Sequence, residues 1–277
     1  MKRISRHQQR VRPFLKWAGN KYRLLDRIIE MLPEGKRLIE PFAGSAAVFV
    51  NTHYSRYVIS DSNKDLIHLY QYLKRDGDVF IKYCQRLFAE KYNNETAYYD
   101  FRDEFNQTTN KRKKAALFLY FNRHGYNGLC RYNSKGGFNV PFGRYKKPYF
   151  PFAEMQYFSR KAKNAVIKHQ DFQSVINSAK PGDIVYCDPP YVPLSASANF
   201  TQYSIGGFDL NQQAILADVA EQAANRGIPV LISNHQTDFI NKTYQTACDI
   251  ISFPVQRYIS CKGNNRNTAN EVLALFA

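Results

Sequence analysis

The stretch Arg37-Leu38-Ile39-Glu40-Pro41-Phe42-Ala43-Gly44-Ser45 decides the fold. A short apolar strand ends in an acid, and a tight turn of proline and small residues opens a loop-helix segment. The next strand, Tyr57-Val58-Ile59, follows that segment, which makes β-α-β, the unit of a parallel sheet. Upstream, Leu24, Leu25, Ile28, Ile29 and Leu32 repeat at helical spacing, and Pro33 with Gly35 closes that helix.

Downstream the alternation breaks and then resumes. From Asn63 to Phe121 the pattern is mostly helical and ends in the apolar run Ala115 to Phe121, which reads as a buried helix. Residues 122 to 150 lose helical period, and Ser134-Lys135-Gly136-Gly137 between Leu129-Cys130-Arg131-Tyr132 and Phe138-Asn139-Val140 predicts a hairpin. Strands return at Ala165-Val166-Ile167, Ile184-Val185-Tyr186-Cys187 and Val230-Leu231-Ile232. Between the last two, Asp209 has the form of a helix N-cap with Gln212 three residues on, Ile215, Val219 and Ala223 carry an apolar stripe, and Gly227 ends the helix. The fold class expected is α/β: one mostly parallel sheet built from residues 1–62 and 152–277, with a helical and β-hairpin insert at 63–151.

The chain has 277 residues, 39 Lys+Arg and 23 Asp+Glu, for a net charge of +16. With 44% hydrophobic and 15% aromatic residues it has enough core-forming side chains to fold despite that charge. No apolar run approaches the roughly 18 residues of a membrane span, and Met1 to Arg6 lacks the apolar stretch of a secretory signal. An Arg-rich transit peptide is the alternative for residues 1–12. Five scattered cysteines without a Cys-x-x-Cys pair point to a reducing cytoplasm and away from a structural metal or disulfide framework.

The charge is unevenly placed. Met1–Leu25 holds eight Lys/Arg and Lys111–Ala153 holds ten, with no acid in either, leaving 21 bases and 23 acids elsewhere. In the second segment Phe118, Tyr120, Phe121, Tyr126, Tyr132, Phe138, Phe142, Tyr145, Tyr149, Phe150 and Phe152 interleave with the charges and with Asn122, Asn127, Asn133 and Asn139. A single-signed, aromatic-rich segment predicts a nucleic acid as partner, while a solvated face is the plainer alternative.

Two signals fall at strand ends, where open α/β sheets place ligands. The turn Glu40-Pro41-Phe42-Ala43-Gly44-Ser45 allows a cofactor to approach the backbone, and Asp61, ending the next strand, can accept the hydroxyls of a ribose or act as an ordinary helix cap. The second signal is Asp188-Pro189-Pro190-Tyr191. Two prolines have no N–H and fixed φ, so they hold a carboxylate and carbonyls as a rigid acceptor array beside an aromatic plate. That combination suits an exocyclic amino group on a flat ring.

Asp188-Pro189-Pro190-Tyr191 resembles the signature of methyltransferases that act on amino groups of adenine or cytosine in DNA, and Glu40 to Gly44 is similar to their cofactor loop. Phe14-Leu15-Lys16-Trp17-Ala18-Gly19-Asn20-Lys21 resembles the N-terminal cofactor motif of one branch, the Dam-type DNA adenine methyltransferases of the D12 class. Asn122 to Asn133, Phe138 to Tyr145, Asn199-Phe200-Thr201 and Ile232-Ser233-Asn234-His235 extend the resemblance in order along nearly the whole chain.

The resemblance implies a Rossmann-like catalytic domain, with 63–151 as the target-recognition domain of a monomeric enzyme on double-stranded DNA. The substrate implied is adenine N6 in GATC, with S-adenosyl-L-methionine as cofactor and no metal. Trp17, Ala18, Gly19 and Lys21 then hold the methionine part of the cofactor, Asp61 the ribose, and Asp171 and Phe172 the cofactor's adenine, with Phe42 and Gly44 beneath and Asp188 at the methyl end. Asp188, Pro189 and Tyr191 are the catalytic residues. Tyr126, Asn127, Leu129, Arg131 and Pro141 lie against the bases, Arg131 as a guanine reader and Tyr126 as a wedge, with Lys16 adding a base contact. Arg123, Asn133, Asn139, Arg144 and Lys146 hold phosphates.

Asn20 and Ala46 stand where the family usually has glycine, and the tolerance of Asn for left-handed backbone and the small size of Ala predict a working site. The same chemistry on cytosine N4 or an RNA adenine, and a decayed DNA-binding protein on the same fold, are the alternative functions.

Overall fold

The computed structural model describes residues 10–192, 208–256 and 268–277, and the chain forms two compact units. Residues 1–9, the segment Asn199-Phe200-Thr201 and Cys261 lie outside the described residues. One unit takes in 10–26, 44–53 and 63–165; the other takes in 27–43, 54–62 and the described part of 166–277.

In chain order the described helices are α1 (Leu25–Met31), α2 (Ala47–Asn51), α3 (Lys64–Gln85), α4 (Glu95–Gln107), α5 (Lys111–His124), α6 (Phe152–Lys161), α7 (Phe172–Asn177), α8 (Leu210–Ala224) and α9 (Asp238–Thr243). The strands are β1 (Arg37–Glu40), β2 (Arg56–Asp61), β3 (Ala165–His169), β4 (Asp183–Cys187), β5 (Val230–His235), β6 (Asp249–Gln256) and β7 (Thr268–Phe276).

The strands form a seven-stranded sheet in the order β3-β2-β1-β4-β5-β7-β6. β1 runs parallel to β2 and β4, and β4 runs parallel to β5. β7 lies antiparallel between β5 and β6. β6 and β7 are not among the strands expected from the sequence, and β6 carries Pro254, which argues against a central strand. As an edge strand β6 tolerates it.

The register of β1 against β4 pairs Arg37 with Asp183, and the Arg37 guanidinium grips that carboxylate bidentately at 2.8 and 2.5 Å. Gly35 has a reason beyond ending a helix: a Cβ there would come within 2.5 Å of Ile184 Cγ1. α7 and α8 bury Val175, Ile176, Leu216 and Ala220 in one core with Ile39, Val185 and Ile232. Asp209 caps α8 as expected, accepting from the Gln212 N–H at 2.8 Å. The expected stripe is shifted: Val219 and Ala223 are buried but Ile215 only partly, and the polar Gln213 is 1% exposed.

In the other unit α5 is the hub, buried continuously from Ala115 to His124. Each long helix opens on an asparagine whose side chain accepts a first-turn N–H: Asn63 for α3, Asn94 for α4 and Asn110 for α5. Tyr70 and Phe158, 4.6 Å apart, pack with Phe14 and Phe49. Tyr98, Phe105, Phe121 and Phe138 form a second aromatic group.

This packing corrects the reading of the aromatic segment. Phe118, Tyr120, Phe121 and Phe138 are core residues, and Asn122 is buried as well. The charge reading changes too. Arg112, Lys113 and Lys114, on the first turn of α5, lie beside Asp76, Glu104 and Asp65 of α3 and α4. The hairpin is reduced to isolated bridges, Tyr132 with Phe138 and Gly125 with Phe142.

Candidate active site and nucleic-acid interface

The strand order reverses direction between β1 and β4, and ligand crevices open at the carboxyl ends of strands at such a switch point. Asp188-Pro189-Pro190-Tyr191 leaves the end of β4 there. Asp188 is half-buried and Pro189 buried. Ser233 on β5 donates to Asp188 Oδ1 at 3.1 Å, and Tyr186 OH lies 3.1 Å from the same Ser233 hydroxyl. A serine has a single O–H, so when it donates to Asp188 the tyrosine must be the donor to serine. Burial pushes the Tyr186 phenol pKa far up, which keeps that proton in place.

The rest of the turn is clamped from α8 and β5. Gln213 Nε2 donates to the Pro190 carbonyl at 2.7 Å, and its Oε1 accepts from Asn234 Nδ2 at 2.9 Å. Asn234 also receives the Val192 N–H at 3.2 Å and donates to Tyr244 OH at 3.1 Å. Gln213, Asn234 and Tyr244 are each at most 1% exposed. Tyr191 donates to Glu271 on β7 at 3.0 Å, and its ring meets His235 edge-on at a centroid distance of 4.6 Å. Burial, then the Asp188 and Glu271 charges, raise the Tyr191 phenol pKa far above its ordinary value. Burial likewise pushes the Cys187 thiol up, so it is no thiolate nucleophile.

Asp61 ends β2, and the cap of α3 is Asn63, so the helix-cap alternative for Asp61 does not hold. Asp171, by contrast, is a cap: its carboxylate accepts from Ser174 N at 2.9 Å and Ser174 Oγ at 2.7 Å, bonds that lower its pKa. Phe172 stacks on Phe42 at 5.4 Å, and Phe208 meets both rings edge-on. Phe208 was missed because it stands in no recognisable motif.

In the unit built around α5, Lys21 is 5% exposed and donates to the Gly19 carbonyl at 2.6 Å. Ala18 is exposed and Trp17 half-exposed. Gly44 has φ +45, and a Cβ there would lie 2.9 Å from Trp17 Nε1, so this turn requires glycine. The left-handed residue of the first motif is Gly19, at φ 75. Asn20 is not left-handed: it has φ −50 and caps the following turn through Tyr22 N, which corrects the reason given for its tolerance. Ala46 does take the left-handed conformation, at φ 58.

Of the expected DNA contacts, Tyr126, Asn127, Arg131, Asn133, Pro141, Arg144 and Lys146 are exposed, Leu129 is half-exposed, and Tyr126 is 52% exposed. The turn carrying Tyr126 and Asn127 is fixed by Tyr126 N–H to the Pro141 carbonyl at 2.9 Å and by Asn127 N–H to Tyr145 OH at 3.0 Å. Lys16 Nζ lies over the Tyr145 ring at 4.2 Å, and Asn122 clasps the Lys16 backbone at both N–H and carbonyl. Burial, then Arg123, lowers the Lys16 pKa.

Four expected phosphate ligands have other partners. Arg123 is 8% exposed, donates to the Phe14 carbonyl, and has its pKa lowered to about 10 by burial. Asn133 Oδ1 closes its own turn by accepting from Lys135 N and Gly137 N. Arg144 pairs with Glu95 at 2.9 Å. Asn139 accepts from Arg131.

Residues 17–259 match the family model of the D12 class N6 adenine-specific DNA methyltransferases. The DNA adenine methylase of Escherichia coli (strain K12) is 51% identical over 265 residues, covering 96% of this chain and 95% of that protein. Those of Serratia marcescens and Vibrio cholerae serotype O1 are 48% and 47% identical over 266 residues, each covering 96% of this chain, and 98% and 96% of the relatives. Because the match runs through the strand-end tetrad and the α5 unit alike, the chain belongs to the D12 class N6 adenine-specific DNA methyltransferase family.

Proposed function

We propose that this adenine-specific DNA methyltransferase acts as a monomer on GATC in double-stranded DNA, using S-adenosyl-L-methionine and turning the target adenine out of the duplex. The observation that carries this reading is the Asp188 carboxylate, fixed by Ser233 at the end of β4 and followed by the clamped Pro-Pro-Tyr turn. The bacterial cytoplasm suits the four described cysteines, which are free thiols, and among the described residues no helix is long and apolar enough to cross a membrane.

Asp61 would take the ribose diol of the cofactor and Phe42 and Phe172 would lie beside its adenine, while Trp17, Ala18, Gly19 and Lys21 would take the methionine part. When bound, the cofactor supplies an electrophilic methyl group on a sulfonium. The adenine amino nitrogen is a poor nucleophile because its lone pair is delocalised into the ring. The Asp188 carboxylate and Pro189 carbonyl would accept hydrogen bonds from its two N–H groups, drawing the nitrogen toward a tetrahedral arrangement and localising the lone pair. Both acceptors are fixed before charge develops, so they act by position and electrostatics.

Extruding the base costs a few kcal/mol, part of which stacking on Tyr191 recovers. Tyr126, exposed on its turn, would occupy the gap left behind, while Lys16, Asn127, Leu129, Arg131 and Pro141 meet the bases. Lys146 and Arg144 would meet phosphates, Arg144 after exchanging Glu95 for one.

Tritiated methyl transfer to duplexes carrying GATC, with one-base variants and matching RNA as controls, tests the reading. Label confined to GATC duplexes supports it. Equal label in the variants removes the specificity, and Asp188→Ala at wild-type rate removes the mechanism.

A further inference from the structure

Arg131 and Asn139 face each other across the Tyr132–Phe138 bridge, and three bonds join them. The Asn139 N–H donates to the Arg131 carbonyl at 3.1 Å. In return Arg131 Nε donates to Asn139 Oδ1 at 2.9 Å, and Arg131 Nη2 donates to the Asn139 main-chain carbonyl at 3.1 Å. A guanidinium only donates, so the side-chain oxygen of Asn139 must be the atom that faces it.

A guanidinium has two donor edges, each with two parallel N–H bonds, one made by Nε and Nη2 and the other by Nη1 and Nη2. Asn139 takes the first through its own side chain and backbone, which fixes the plane of the group and leaves the second edge of this exposed residue for a ligand. That edge matches O6 and N7 of guanine, the paired acceptors of its major-groove face. An exposed arginine on a turn would otherwise sample many rotamers, and ordering it at the moment of binding costs free energy.

We propose that Asn139 is a specificity-determining positioning residue, which presets Arg131 for a guanine edge and does not act by holding a phosphate. The inference rests on the reading of Arg131 as a guanine reader.

The test measures kcat/KM for GATC duplexes against duplexes with each guanine pair substituted singly, using Arg131→Ala, Asn139→Ala, Asn139→Asp and the Arg131→Ala/Asn139→Ala double variant. Arg131→Ala identifies the guanine pair concerned. Asn139→Ala is expected to lower discrimination at that same pair by about tenfold and to add nothing in the double variant. Asn139→Asp keeps an acceptor for Nε and is expected to retain discrimination, whereas a negative side chain would repel a phosphate.

Affinity for non-cognate duplex gives a second readout, and it should be unchanged in Asn139→Ala. A uniform loss of affinity across sequences, cognate and non-cognate, with discrimination intact would mean a phosphate contact and overturn the proposal. Arg131→Ala with undiminished discrimination would overturn the premise instead, and the proposal with it.

Discussion

Gln213 donates its side-chain amide to the Pro190 carbonyl over 2.7 Å, so the first turn of α8 holds the turn that carries the proposed catalytic groups. The same residue accepts from Asn234, which in turn receives the Val192 N–H, so one buried network grips both ends of Pro190-Tyr191-Val192. Gln213→Met keeps the volume and removes both bonds, leaving a buried donor and an acceptor unsatisfied at about 1–3 kcal/mol each. The expected result is a kcat lowered about tenfold to a hundredfold with cofactor affinity nearly unchanged, because a small displacement of the acceptors misplaces the reacting nitrogen. Single-turnover methylation beside cofactor titration checks this, and an unaltered single-turnover rate would show that the clamp has no part in catalysis.

Trp17 packs against Gly44 and is the chain's one tryptophan. Its fluorescence is therefore a direct report on that cradle, and titration with S-adenosylmethionine is expected to change it saturably. Gly44→Ala places a Cβ 2.9 Å from Trp17 Nε1 on backbone at φ +45, a conformation that costs an L-residue about 1–2 kcal/mol. Cofactor affinity should fall about tenfold, read from the same fluorescence. An Ala variant that titrates like the parent would place the cofactor away from this turn.

The parallel half of the sheet and the tetrad were legible because both are local. A strand ending in Glu40 or Cys187 and the turn after it are written in a few consecutive residues. What escaped depends on partners distant in sequence. Gln213 looks like a surface residue of an amphipathic helix until α8 is laid on the sheet, and Phe208 gains meaning only beside Phe42 and Phe172. The basic run Lys111–Lys114 reads as single-signed because Asp65, Asp76 and Glu104 come from other helices. The family resemblance implies a phosphate role for Arg123, and its burial against Phe14 becomes visible only when α5 has neighbours.

The Tyr191 phenol is bonded to Glu271 while its ring makes a T-shaped contact with His235, so hydroxyl and ring have separable roles. Tyr191→Phe keeps the plate and loses the bonds of the hydroxyl, so kcat/KM is expected to fall by about tenfold or less. Tyr191→Ala removes the plate, and base stacking on an aromatic contributes about 1–3 kcal/mol. With 2-aminopurine at the target position, the Ala variant should lose the fluorescence change of base extrusion that the Phe variant retains. Equal signals from both variants would mean that the extruded base does not rest on this ring.

His124 ends α5, fully buried and stacked on Tyr120 at 3.9 Å, with Nδ1 3.0 Å from the Tyr120 carbonyl. Burial, opposed by that carbonyl and reinforced by the Lys16 charge, pushes its pKa from 6.5 down to about 4. The unfolded chain binds a proton at this position below 6.5 that the folded chain refuses until about 4. Between those values the unfolded state holds more protons, so stability rises with pH through the window and is fully present above it. At about 1.4 kcal/mol per unit the contribution reaches roughly 3 kcal/mol across the window. Urea unfolding from pH 4 to 7 should therefore show a decline toward acid that flattens in His124→Gln, a polar replacement that does not titrate. The Gln variant should be less stable than the parent at pH 7 through lost stacking, yet less sensitive to acid. If parent and variant ran parallel from pH 7 to pH 4, the acid sensitivity would belong to other groups and His124 would have to titrate near its ordinary value.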